Sequence, residues 1–183
     1  LTKSLEEIVD DIGRAPLAFE PASKWQYSSG LNVAARIIEV VSGESYADFL
    51  GNRIFKPLGL HDTTFVLSKD QTSRLATTYT PKKDGDGVVP STHRSVVLDP
   101  TVRRTPNPSG GLFSTVADIA RFYQLILSGG EVDGHKIISK ESIALMTSVQ
   151  SGDVVTGFTP GNGWGLGWCV VRNPQGVSRL LNP

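Results

Sequence analysis

Apolar residues along much of the chain recur at intervals of three and four, and most of these runs are opened by a small polar residue and closed by glycine. That pattern predicts a helix-rich chain. Ser4-Leu5-Glu6-Glu7 reads as a capping box that opens a helix through about Ile12. Ala15 to Trp25 is a proline-punctuated connector. Ser28 or Ser29 can cap the next helix, from about Gly30 to Ser42, which stops at Gly43. Its polar positions, Asn32, Arg36 and Glu39, fall on one narrow stripe, so most of its circumference is expected to be buried. Ser45 caps a third helix through about Ile54, with Pro57-Leu58-Gly59 as the stop. Val116 to Ser128 carries the strongest helical period, with Thr115 as N-cap and Gly129-Gly130 as terminator. Ser139 caps a last helix to about Ser148.

Extended structure is sparse. Thr63 to Leu67 reads as extended, Thr72 to Tyr79 as a helical turn and Pro81 to Gly87 as a solvated loop. Val88 to Leu98 suggests a hairpin or two short strands, Asp99 to Gly111 and Gly152 to Gly163 read as loop, and Trp164 to Val171 as a strand running to a turn at Asn173-Pro174-Gln175-Gly176. The expected class is α+β, predominantly helical. Residues 1–163 are expected to form a mainly helical region, and 164–183 to begin a strand with no obvious neighbour in the chain. The chain opens on Leu1, closes on Asn182-Pro183, and reads as a piece of something longer.

Composition narrows the functional classes. The 183 residues carry 18 basic and 18 acidic side chains, a net charge of zero that argues against nucleic acid as a partner. No apolar run approaches the roughly 18 residues of a membrane span. One cysteine, Cys169, rules out an intrachain disulfide and any cysteine-rich zinc site. The three histidines are not paired at helical spacing, and no phosphate-cradling glycine loop or Gly-x-Ser-x-Gly elbow occurs. No metal and no cofactor is called for.

Four blocks carry the informative chemistry. The first is Pro21-Ala22-Ser23-Lys24-Trp25-Gln26-Tyr27-Ser28-Ser29, leading into a helix that ends Ile38-Glu39-Val40-Val41-Ser42-Gly43. The second is Arg53 to Phe65, with Ile54-Phe55-Lys56-Pro57-Leu58-Gly59-Leu60 at its heart. The third is Ser109-Gly110-Gly111-Leu112-Phe113-Ser114-Thr115 through Asp118, Ala120, Arg121 and Phe122. The fourth is Trp164-Gly165-Leu166-Gly167-Trp168. In this order the blocks resemble the serine β-lactamase-like superfamily: class C β-lactamases, D-Ala-D-Ala carboxypeptidases, D-aminopeptidases and esterases of one fold.

The resemblance implies the helical region of that β-lactamase/transpeptidase-like fold, with a few short strands. It implies a small-molecule or peptide substrate and acyl transfer through a nucleophilic serine. Tyr27 stands where the family's Tyr-x-Asn motif has its catalytic tyrosine, and Ser29 stands in place of the Asn. Ser109, Gly110 and Gly111 match a stretch at the substrate pocket. The sequence departs from the family in a larger way: no serine here has lysine three residues on, so the Ser-x-x-Lys nucleophile is absent, as is the Lys-Thr-Gly or His-x-Gly strand. A phenol with an ordinary pKa near 10 needs neighbouring positive charge to act as a base, and in the family that lysine supplies it. Alone, this chain is expected to be catalytically dead and, with its sheet missing, to self-associate. Ser29 reads equally as a helix N-cap. Gly110 and Gly111 read equally as a loop-to-helix turn. A non-catalytic binding or partner-interaction module of the same ancestry is the alternative to the hydrolase. A periplasmic or secreted location follows from the resemblance alone.

Overall fold

The computed structural model describes residues 3–83, 85–91, 105–156 and 161–172. Helix α1 (Leu5–Arg14) opens on the expected capping box. The Glu7 amide donates to Ser4 Oγ at 3.2 Å, and the Ser4 amide donates to Glu7 Oε2 at 2.7 Å. It runs two residues past Ile12 and ends at Ala15, where Pro16 forbids a further helical residue. Helix α2 (Gly30–Ser42) stops at Gly43, whose φ of +72° suits glycine.

The third predicted helix is longer and less regular than its pattern suggests. It comprises α3 (Tyr46–Leu50), a π-helical stretch at Gly51–Phe55 and α4 (Lys56–Leu58). Pro57 does not end it, because proline is tolerated within a first helical turn. Gly59, at φ +65°, does. Helix α5 (Lys69–Ser73) lies upstream of the helical turn expected at 72–79, because Ser68 and Gln71 form a second capping box that starts it early. Tyr79 instead enters β1 (Tyr79–Pro81), which pairs antiparallel with β2 (Val88–Pro90) across the Lys- and Gly-rich loop. The rest of the expected Val88–Leu98 pair lies outside the described residues.

Helix α6 (Val116–Leu127) is capped by Thr115 Oγ1, which accepts from the Asp118 amide at 3.2 Å. It leads to a hairpin of β3 (Glu131–Val132) and β4 (His135–Lys136). Asp133 and Gly134, both at positive φ, make its two-residue turn. Helix α7 (Lys140–Thr147) follows, capped by Ser139. The strand expected over 164–171 is instead a hairpin: β5 (Asn162–Trp164) pairs antiparallel with β6 (Cys169–Val171). The chain reverses through Gly165 and Gly167, and the latter sits at φ +83°. The turn expected at Asn173–Gly176 lies outside the described residues. No described helix is long and apolar enough to cross a membrane.

Leu58, Leu60 and Leu125 form the buried centre of the core. Ile54, Phe55, Phe122, Val132, Ile137 and Ile138 pack around them, so the α3–α4 run, α6 and the β3–β4 hairpin share one apolar nucleus. Gly130 closes it: a Cβ there would lie 1.9 Å from the Ile138 carbonyl oxygen. The Arg121 guanidinium ties α6 to both neighbours, donating to the Leu58 carbonyl and pairing with Asp133.

Helix α2 departs from the expected burial. Only Ala35 is buried; Ile37, Val40 and Val41 are 58%, 66% and 81% exposed. The polar stripe is the face that packs. Arg36 pairs with Glu6 of α1 and with Glu39, and Glu39 accepts from the Tyr46 amide at 3.0 Å. Helix α6 behaves alike, burying Asp118 and Leu125 while Val116 and Leu127 stand 85% and 87% exposed. The chain exposes 12827 Å².

Candidate functional site

Tyr27 stands three residues before the first residue of α2, on an irregular segment that begins after Ala22, a residue at φ +66°. Its ring packs against two indoles. The Tyr27 centroid lies 6.3 Å from Trp25 and 6.2 Å from Trp164, tilted by 51° and 57°. The two indoles stack on each other at 5.3 Å and 23°. Tyr27 is nonetheless 61% exposed, and both tryptophans are only partly buried. The first and fourth sequence blocks therefore meet in an aromatic cluster with a solvent-accessible phenol.

Ser29 occupies the N-cap position of α2, but its side chain makes no capping hydrogen bond. Its carbonyl starts the helix instead, accepting from the Asn32 and Val33 amides at 2.9 and 3.3 Å. One turn on, Asn32 does what neither predicted reading assigned: its Oδ1 accepts from Ser109 Oγ at 2.5 Å. That bond brings the third block to the head of the same helix.

The loop that carries Ser109, Gly110 and Gly111 is organised around Asn107. Asn107 Oδ1 accepts from the Ser109 amide at 3.1 Å, and its carbonyl accepts from the Gly111 amide at 2.9 Å. A Cβ at Gly111 would lie 2.9 Å from that carbonyl oxygen, and Gly110 sits at φ +149°. The backbone at both positions favours glycine. Thr105 Oγ1 ties the start of the loop to the Lys3 carbonyl at 2.7 Å.

The second and third blocks are joined behind this surface by buried Asp118. Its Oδ2 accepts from the Asp62 amide at 2.9 Å and from Thr63 Oγ1 at 2.8 Å. Thr63 Oγ1 also lies 2.8 Å from Ser114 Oγ, and Thr64 and Phe113 form an antiparallel bridge. The Asp62 carboxylate faces outward, where the Arg74 guanidinium and then the Gln71 amide hold its pKa below the usual aspartate range.

Sequence reasoning thus placed Tyr27, Ser29, Ser109, Gly110 and Gly111 in blocks that the fold does bring to one region, through Trp164 on one side and Asn32 on the other. It missed Asn32 and Asn107. Asn32 lies on the same helical stripe as Arg36 and Glu39, and its position one turn from Ser29 was the available signal.

Comparison with known proteins bears on the family of the chain. The family described as Beta-lactamase matches residues 1–181. Penicillin-binding protein 4 of Amycolatopsis lactamdurans is 32% identical over 144 residues, covering 78% of this chain and 36% of that protein. Esterase EstB of Burkholderia gladioli is 28% identical over 135 residues, covering 67% of this chain and 34% of the esterase. Among solved structures, the octameric penicillin-binding protein homologue from Pyrococcus abyssi superimposes with a TM-score of 0.66 at 27% identity, over 91% of this chain and 35% of that one. The chain spans less than half the length of the curated relatives it matches.

Proposed function

The chain belongs to the beta-lactamase family, and from that membership we propose that it forms the helix-rich part of a serine acyl-hydrolase in which Tyr27 moves the protons. The nucleophile and the cation that activates it come from a Ser-x-x-Lys segment, for which these 183 residues hold no candidate. In the reaction, the serine oxygen attacks the carbonyl carbon of an ester, amide or β-lactam and forms an acyl-enzyme. The phenolate takes the serine proton and passes it to the leaving group, and then activates the water that releases the acid. The substrate is a small molecule or peptide. The helices through α7 belong to the helical region of this enzyme, and the β5–β6 hairpin leads toward its sheet.

The observation that carries the reading is the position of one exposed phenol. Tyr27 is held by Trp25 and Trp164 at the head of α2, and Ser109 is tied to the first turn of that same helix through Asn32. In the proposed reaction the ammonium of the Ser-x-x-Lys lysine, set beside Tyr27, favours its phenolate. The outward apolar face of α2, with Ile37, Val40 and Val41, offers a surface along which a nucleophile-bearing segment would pack with one end near Tyr27.

Fluorophosphonate labelling tests the proposal. The isolated chain is expected to take up no label, and the polypeptide completed with a Ser-x-x-Lys segment to label at its serine. Tyr27→Phe in that longer form is expected to slow labelling at least about a hundredfold. Labelling of the isolated chain, or equal rates with and without the phenol, would overturn the proposal. A completed polypeptide that binds penicillin reversibly and never acylates would point to the binding-module reading.

A further inference from the structure

The π-helical stretch at Gly51–Phe55 forms one wall of an open cavity whose other wall is β4. In that stretch the Lys56 amide donates to the Gly51 carbonyl, five residues back. Such a turn is wider than an α-helical one, and it recurs at functional sites. The cavity has a volume of about 480 Å³, within the range of small-molecule pockets. Phe49, Pro57 and Ile137 give it an apolar lining. Ile137 also packs on the nucleus of Leu58, Leu60 and Leu125, and the Arg121 guanidinium pins the hairpin turn through Asp133. Both walls are thus anchored to the core. Arg53, His135 and Lys136 complete the lining with nitrogen-bearing side chains, and no carboxylate lines the cavity.

The three are not equivalent. Lys136 stands opposite Glu131 in the hairpin, and its charge also reaches Glu141. Arg53 stands over the Phe49 ring, its guanidinium carbon 5.8 Å from the centroid. Its Nε lies 4.0 Å from Glu44 Oε1, too far for a hydrogen bond. Glu44 is engaged elsewhere, its Oε2 accepting from the Asn52 side-chain amide at 3.0 Å. A planar guanidinium fork held at the edge of an apolar surface suits a carboxylate, which it can grip in two parallel bonds. The Glu44 charge beside it disfavours a doubly charged phosphate. We propose that this cavity binds a small monocarboxylate with an aryl body, its carboxylate on Arg53 and its body against Phe49, Pro57 and Ile137. A free acid and the C-terminal residue of a short peptide both present that chemistry. The site shares no residue with the Tyr27 region and involves no covalent step, so it stands or falls apart from the acyl-hydrolase reading.

The test follows the backbone amide shifts of the 183-residue chain by NMR. Phenylacetate, acetate and benzyl alcohol are titrated in separate runs at one ionic strength. Phenylacetate is expected to bind about tenfold more tightly than either, equivalent to about 1.4 kcal/mol, with the shifts concentrated at residues 49–57 and 134–137. N-acetylalanylphenylalanine is the peptide arm: tighter binding than phenylacetate assigns the ligand to a peptide terminus, and weaker binding assigns it to a free acid. Arg53→Gln is expected to reduce phenylacetate to the affinity of benzyl alcohol, and Arg53→Lys to keep part of the difference. Added salt should weaken phenylacetate and leave benzyl alcohol unchanged. Equal affinity for phenylacetate and either control probe overturns the proposal. So does phenylacetate binding undiminished by Arg53→Gln, or shifts centred elsewhere on the chain. The Arg53 side chain is 67% exposed, so its variants are expected to fold. Should one fail, the three-probe comparison and the map of shifts still decide.

Discussion

Replacing Asp118 tests how the second and third sequence blocks are held together. The residue is 9% exposed, and one of its oxygens accepts two hydrogen bonds from the Asp62–Thr63 segment. Asp118→Ala leaves the Asp62 amide without that acceptor, at a cost of about 1–3 kcal/mol, and removes a charge-assisted bond from Thr63 worth about 1.5 kcal/mol. Thr63 keeps Ser114 as a neighbour, so its hydroxyl is not orphaned. Loss of a carboxylate from the first turn of α6 adds about 0.3–1 kcal/mol through the helix dipole. The sum is about 3–5.5 kcal/mol, a large share of the about 5–15 kcal/mol that folded domains possess. Asp118→Asn keeps an acceptor and loses the charge, so about 1 kcal/mol is expected. Urea denaturation followed by circular dichroism measures both, compared at a common m-value. A double-mutant cycle with Thr63→Ala is expected to give a coupling of about 1 kcal/mol. A cost below about 1 kcal/mol for Asp118→Ala, or one no larger than for Asp118→Asn, would refute this account of the join.

Two further outcomes follow from the surface. Because Arg74 and Gln71 hold the folded pKa of Asp62 below its unfolded value, the stabilisation is complete above about pH 4 and is lost as pH falls through the folded value. The stability difference between wild type and Asp62→Asn is therefore expected to be flat from about pH 5 to 7 and to shrink to nothing in stronger acid, measured by urea titration at each pH. The outward apolar stripes of α2 and α6 are expected to drive the isolated chain into dimers or larger species as concentration rises, read by light scattering. The pair Ile37→Lys and Val41→Lys should shift it toward monomer, and a wild-type chain that stays monomeric at its highest soluble concentration would contradict the expectation.

What could be read without coordinates was what is local. Ser4, Ser45, Thr115 and Ser139 cap their helices as expected, because a cap is decided by residues three positions apart. The Asp133–Gly134 hairpin was equally local and went unread, although an Asp-Gly pair between short apolar runs is a hairpin signal. Burial of α2 failed for a different reason. Periodicity tells which face of a helix is apolar, not which face finds a neighbour, and here Arg36 and Glu39 found one while Val40 and Val41 did not. The site followed the same division. Tyr27 and Ser109 could be placed in their blocks by motif. The contacts that join those blocks, Trp25 on Trp164 and Ser109 on Asn32, cross long stretches of chain and leave no periodic trace.

The glycine at 165 has a consequence for how this family member can change over generations. With the Met146 carbonyl oxygen where its side chain would begin, the position admits no other residue while the end of α7 stays in place. Drift there is closed to single steps: a retreat of residues 146–148 must come first, and that retreat would carry the ring beside the phenol with it.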